Sequence, residues 1–327
     1  MTRSRSIIML SVLLAAILVT ITVLLAVVWS VRGCAAQGGS VCAGVSGHGG
    51  SYLPPQPPAE VADSAKPGWT ARHYWDSFDF ADTTQLSDME RMGPAVIDYL
   101  QLLGAVPAAD AAGAIRGMLD EALEGSPVAF ERFTDWYEEA LYDPNSPLRS
   151  EELYIPVLEY VVSSPCVDSL MKIRPRSQLA MARRNRPGAV ATDFAYTTAD
   201  GRQHRLSAFR ARYTLLYFYN PDCAACREIK DYIGSSARFR EWMEGDAGLR
   251  VLAVYPDEDL TLWRERLAQM PAAWTVGCDR GHKLMDEGLY DLKAIPTIYL
   301  LDENKRVILK DAPAEAVEAW LAGAAVR

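Results

Sequence analysis

Apolar and polar positions are arranged differently in successive parts of the chain. Residues 7 to 29 (IIMLSVLLAAILVTITVLLAVVW) are apolar apart from Ser11, Thr20 and Thr22, and no charge interrupts them. A helix needs about 20 such residues to cross the hydrocarbon layer, whereas the apolar stretch of a cleavable signal peptide runs to roughly 7 to 15. A retained transmembrane anchor is therefore predicted within residues 1–32. Arg3 and Arg5 ahead of the run outnumber Arg32 behind it, which leaves the N-terminus in the cytoplasm and everything after residue 33 outside. Val31-Arg32-Gly33-Cys34 offers an alternative, a lipoprotein acylated at Cys34, although the arginine departs from a lipobox. Residues 33–67 are rich in Gly, Ser and Pro and poor in large apolar side chains, the composition of a disordered tether.

From Trp69 to about Arg186 the apolar residues recur at helical spacing. Ile115, Met118, Leu119, Ala122 and Leu123 form one such stripe, and Phe130, Phe133, Tyr137, Ala140 and Leu141 form the next. Ser126-Pro127 reads as a helix start, and Asp143-Pro144-Asn145-Ser146-Pro147 as a break. Residues 68–187 are thus predicted as an all-α bundle. Its aromatics Trp75, Phe78, Phe80 and Trp136 are read as core in preference to a ligand groove. After Asn185-Arg186-Pro187-Gly188 the period changes. Strands are predicted at 193–197, 202–206, 213–219, 249–255, 297–301 and 307–310, with helices from Cys223, at 260–268 and at 313–323. This alternation predicts an α/β sandwich over 188–327, closed by an antiparallel edge.

The chain carries 33 basic and 42 acidic residues, net charge -9, in a composition that is 50% hydrophobic. That balance excludes nucleic acid as the partner class, since phosphate binding needs clustered positive charge. Six cysteines in an exported chain raise the prospect of disulfides, though far below the density of a small cysteine-stapled scaffold, so spacing decides their roles. Cys223-Ala224-Ala225-Cys226 lies directly between the apolar strand and the following helix, so Cys223 is expected at a helix N-terminus. Partial positive charge and free N–H groups there favour the thiolate that attacks in disulfide exchange, and Cys226, one turn on, is placed to resolve a mixed disulfide. A zinc knuckle would want a second such pair. Cys166 and Cys278 stand apart and are read as small buried residues, His48 with Cys34 and Cys42 falls short of a ligand set, and no metal or cofactor is assigned.

With these residues in view the segment 188–327 resembles the thioredoxin superfamily, in particular membrane-tethered TlpA-like thioredoxins. The resemblance rests on Gly188 to Phe194 with Asp200-Gly201, on the strand followed by CAAC, and on Ile295-Pro296-Thr297. It implies a cis Pro296 facing the cysteines, and a groove at Ile295, Pro296 and Thr297 where the backbone of Ile295 pairs with a substrate segment. Asp222 stands where that family commonly has tryptophan, Ile229 where many TlpA-like members have glutamate, and residues 213–219 lack the buried aspartate of ordinary thioredoxins. Trp75 to Phe80 and Ser146 to Tyr154 resemble an uncharacterised helical domain that precedes thioredoxin domains in exported bacterial proteins.

The expected function is therefore extracytoplasmic thiol-disulfide exchange with protein substrates, running as a reductant and served by a membrane or extracytoplasmic redox partner. Two other functions remain open at this point. One is a peroxiredoxin-like peroxidase acting through one activated cysteine, and the other is a non-catalytic adaptor that uses the fold as a scaffold.

Overall fold

The computed structural model describes residues 52–244 and 248–324. The apolar run at 7–29, Cys34 and Cys42 lie outside them. Among the described residues no helix is long and apolar enough to cross a membrane.

The first part is helical: α1 (Lys66–His73), α2 (Met89–Ala105), α3 (Ala108–Gly125), α4 (Pro127–Leu141), α5 (Glu151–Ser163) and α6 (Ile173–Ala182). Local chemistry sets the starts of α4 and α5. The Ser126 hydroxyl accepts the N–H of Val128 at 3.2 Å with Pro127 in the first turn, and that of Ser150 accepts the N–H of Leu153 at 3.4 Å. The predicted stripes face inward, so Ile115, Met118 and Leu119 of α3 and Phe130, Phe133 and Tyr137 of α4 are all buried. Trp75, Phe78, Phe80 and Trp136 are buried in the same cluster.

Tyr52 departs from the sequence pattern. It lies in the stretch read as tether, yet it is buried, stacks on Trp75 with ring centroids 5.0 Å apart, and donates its hydroxyl to the Tyr74 carbonyl at 2.7 Å. One aromatic ring carries enough apolar surface to order this end of the segment, a contribution that an average over 33–67 conceals.

The second part is a sheet flanked by helices. Its strands are β1 (Ala195–Thr198), β2 (Gln203–Arg205), β3 (Tyr213–Phe218), β4 (Leu249–Tyr255), β5 (Thr275–Cys278), β6 (Thr297–Leu301) and β7 (Val307–Leu309). Between or after them come α7 (Ala224–Ser235), α8 (Ala237–Glu244), α9 (Leu260–Arg266), α10 (Lys283–Asp286) and α11 (Ala314–Ala324). The strand order is β2-β1-β5-β4-β3-β6-β7, with β3, β4 and β5 parallel and the remaining pairs antiparallel. Side chains alternate along β3. Leu215 and Tyr217 pack with Ile233 of α7, Phe239 of α8 and Leu321 of α11, while Leu216 and Phe218 pack on the other face with Phe194, Tyr290 and Tyr299. Burial on both faces is why β3 reads as an unbroken apolar run.

β5 was not among the predicted strands. It is four residues long and contains Gly277, whose backbone pairs with Val254 on one side and Thr198 on the other. A Cβ at Gly277 would stand 2.6 Å from Cδ2 of Tyr196, so the residue is glycine because a ring occupies that space. Thr275 and Val276 favour a strand, but Gly277 cuts their run short, so the pairing with neighbouring strands decides this one.

The two parts meet at the start of α5. Arg149 donates to the Asp311 carbonyl at 2.7 Å and stands 3.5 Å from its carboxylate, while Lys310 donates to the carbonyls of Ala182 and Arg184 at the end of α6, at 3.0 and 2.6 Å. Burial pushes the Asp311 carboxyl up to about 6, against the pull of Arg149 and Lys293. A carboxyl raised in this way holds its proton more tightly folded than unfolded, so its contribution to stability declines as pH rises from the ordinary 3.8 through about 6. Asp311→Asn is expected to remove that decline and to stabilise the protein near pH 7 by on the order of 1 to 2 kcal/mol. Asparagine tolerates the positive φ of 46° at this position, and Arg149 keeps the carbonyls of Pro144 and Asp311. Urea unfolding at pH 4, 5.5 and 7 measures the difference; an unchanged pH slope in the variant would assign it to another group.

Candidate functional site

β3 runs out at Phe218, and the turn that follows is organised by Asn220. Its side-chain oxygen accepts the N–H of Asp222 at 2.9 Å, its carbonyl accepts the N–H of Cys223 at 3.1 Å, and its side-chain amide donates to Asp257 at 2.7 Å. These bonds turn the chain from strand into helix within a few residues, which is the local role of an Asn-Pro-Asp sequence. Cys223 then occupies the N-cap of α7 with extended backbone, and its Sγ accepts the N–H of Cys226 at 3.3 Å. The cap is the cysteine. The carboxylate of Asp222 faces instead the guanidinium of Arg266 at 3.5 Å, an exposed pair of small energetic weight.

The other half of the site comes from the loop before β6. The Ile295–Pro296 peptide bond is cis, and Thr297 opens β6 directly opposite Phe218, the last residue of β3. This register brings the two loops together. Cys223 and Ile295 are 72 residues apart in sequence, yet the Cys223 thiol donates to the Ile295 carbonyl at 3.5 Å. The Thr297 hydroxyl donates back to the Ala294 carbonyl at 2.6 Å and holds the loop against the strand. Cys223, Cys226, Ile295, Pro296 and Thr297 therefore lie together at the end of the central strands where β3 finishes and β6 begins, the C-terminal end of the parallel strands, where open α/β sheets commonly place their sites.

The two sulfurs differ in their surroundings. Cys223 is half-buried and Cys226 is buried, and both are free thiols. Burial pushes the Cys226 thiol up to about 12, with the N–H of Asn220 at 3.5 Å acting in the opposite direction. The backbone carbonyl of Cys226 accepts the buried Tyr217 hydroxyl at 2.7 Å. Behind Cys226 a cavity of about 10 Å³ is walled in part by Arg227, Lys230 and Arg266, and its lining contains no carboxylate. Sequence reasoning missed Asn220, Asp257 and Arg266. The Asn-Pro-Asp turn was the one available signal for the first; the other two arrive from the loop after β4 and from α9, and nothing local marks them.

Cys278 is buried, with its thiol 3.6 Å from the Thr197 carbonyl. Cys166, read from the sequence as buried, is exposed instead, because Ser164-Pro165 ends α5 and the following loop carries it to the surface. Among the described residues no cluster of histidine, cysteine and carboxylate is suited to a metal ion.

Comparison with known proteins matches both parts. Residues 49–185 match a domain of unknown function, DUF5106, and residues 187–310 match the AhpC/TSA family. The crystal structure of a thioredoxin-like protein from Bacteroides caccae is 40% identical, with a TM-score of 0.79, over 83% of this chain and 98% of that one. The chain belongs to this thioredoxin-like family, in which an AhpC/TSA thioredoxin-like domain follows a DUF5106 domain. Its relatives include thiol-disulfide oxidoreductases. Thiol-disulfide oxidoreductase ResA of Geobacillus thermodenitrificans is 24% identical over 120 residues, 37% of this chain and 66% of that protein. ResA of Geobacillus kaustophilus is 25% identical over 137 residues, 41% of this chain and 75% of that protein.

Proposed function

We propose that this protein reduces disulfides in extracytoplasmic proteins, held at the outer face of the cytoplasmic membrane by residues 7–29. The observation that carries the reading is the asymmetric pair: Cys223 at a helix N-cap and against the Ile295 carbonyl at 3.5 Å, with Cys226 buried one turn on. The Cys223 thiolate attacks one sulfur of the substrate disulfide, and the other sulfur departs as a thiolate. Cys226 then attacks Cys223 and passes its proton to the second departing substrate thiolate, while solvent gives the first one the proton that Cys223 had released, which leaves a Cys223–Cys226 disulfide and a substrate dithiol. Two electrons have moved to the substrate. A membrane or extracytoplasmic dithiol partner returns them by the same exchange in reverse. Ile295, Pro296 and Thr297 form the groove, and the backbone of Ile295 pairs with the substrate segment. Reduction is assigned as the direction from the resemblance to TlpA-like thioredoxins.

The AhpC/TSA match supports a second reading, peroxide reduction at one activated cysteine. Insulin reduction and hydrogen peroxide consumption, measured side by side on the purified full-length protein, separate the two. Reduction of insulin without peroxide turnover is the expected result, and the opposite outcome selects the peroxidase. The location is tested by sequencing the mature N-terminus. A soluble chain beginning after residue 33 would sink the anchor, and an acylated Cys34 would establish the lipoprotein.

A further inference from the structure

The junction between the helical and sheet domains is built from six charged side chains. Arg149 and Glu151 come from the start of α5, Asp291 and Lys293 from the loop that leads to Ile295, and Lys310 and Asp311 from the segment after β7. None of these side chains is more than 22% exposed, and cations and anions balance. Glu151 is the shared anion, 3.3 Å from the Lys293 ammonium through one oxygen and 2.6 Å from Lys310 through the other. Lys293 also reaches Asp291 at 3.1 Å, and its ammonium lies 4.1 Å from the centroid of the Tyr142 ring. Asp291 belongs to its own loop, but Glu151 and Tyr142 belong to the other domain.

We propose that Lys293 is a positioning residue through which the DUF5106 domain holds the Ile295–Pro296 loop against Cys223, so that this domain sets the affinity for protein substrates. The proposal rests on the disulfide-exchange reading above. Besides the hydrogen bonds to the Ala294 and Ile295 carbonyls, the loop is held at both of its ends. At its far end Thr297 enters β6 opposite Phe218, and at its near end Lys293 is gripped by Glu151 and Tyr142. Between them lie only Ala294, Ile295 and Pro296, and the Ile295 carbonyl meets Cys223. Without the Lys293 ammonium Glu151 keeps Lys310, but Asp291 loses the cation beside it and the loop loses its tie to Glu151 and Tyr142, so the near end is freed while both cysteines stay in place. A small disulfide needs only the Cys223 sulfur. A protein segment must also pair with the backbone of Ile295, and it registers where that backbone stands.

The test compares Lys293→Met, Lys293→Arg and Glu151→Gln in the full-length protein. Lys293→Met is expected to raise KM for insulin about tenfold, the scale of one lost charge-assisted hydrogen bond, with kcat unchanged. The rate with a small aromatic disulfide is expected to stay at the wild-type value. Lys293→Arg restores the cation and is expected to restore KM, while Glu151→Gln, a second route to the same contact, raises it in the same direction. NMR order parameters give a readout independent of activity: those of the Ala294 and Ile295 backbone are expected to fall in Lys293→Met, with β3 and β4 unaffected. Unchanged KM and unchanged loop order parameters in both charge-removing variants would overturn the clamp. Equal loss of rate toward small and protein disulfides would overturn it too, by showing damage to the cysteines themselves. Failure of the wild-type protein to reduce either disulfide would refute the functional reading, and the clamp would then be decided by the order parameters alone.

Discussion

With alanine at position 226, a mixed disulfide between Cys223 and a substrate protein is expected to accumulate, and turnover to fall by at least about a thousandfold, the scale on which removing a covalent-catalysis residue acts. Cys223 keeps its N-cap position and its contact with the Ile295 carbonyl in this variant, so the first attack proceeds and only the resolving step is lost. The reciprocal variant, Cys223→Ala, is expected to be inactive and to trap nothing. Cys226 is buried, and burial pushes its thiol up to about 12, so it is protonated and shielded near neutral pH. Mass spectrometry of the two variants after incubation with oxidised insulin reads both outcomes. Trapping through Cys226 in Cys223→Ala would reverse the assignment of roles, and wild-type turnover by Cys226→Ala would remove the pair from the mechanism.

Phe133→Ala is expected to destabilise the protein by about 3 to 5 kcal/mol, as for other buried phenylalanines replaced by alanine. Phe133 is 2% exposed, and its ring centroid lies 5.1 Å from that of Trp75, 5.4 Å from Phe80 and 5.0 Å from Trp136. These neighbours come from α4 itself and from the segment around α1, so they cannot close over the space together, and the cavity term adds to the lost transfer energy. The experiment also separates two roles for this aromatic cluster. A core ring gives the full loss in urea unfolding. A ring lining an open ligand groove gives about 0.5 kcal/mol or less, the usual range for surface positions, and a value that small would reopen the groove reading.

Much of the architecture was written into the local pattern. Helical spacing in α3 and α4 marked Leu119 and Phe133 as core, and Ser126-Pro127 marked where α4 begins. The apolar run of β3 followed by Cys223 located the cysteine pair at a strand-to-helix turn, because strand burial and helix capping both act within a few residues. Pro296 was singled out through resemblance alone, since an X-Pro dipeptide does not specify its isomer.

Elsewhere the deciding partners are distant in sequence. β5 became a strand because β4 and β1 pair with Gly277 from both sides, although glycine has no side chain with which to favour one. Tyr52 joined the helical core because Trp75 was there to stack on, and Cys166 lies outside because the turn at Pro165 swings it away from the helices. Asn220 found Asp257, and Lys293 found Glu151 across 142 positions of chain. Periodicity and capping act over a few residues and can be read in order along the chain. Ion pairs, sheet neighbours and the position of Ile295 over Cys223 depend on which segments the folded sheet and bundle bring together, and the tertiary structure alone decided those.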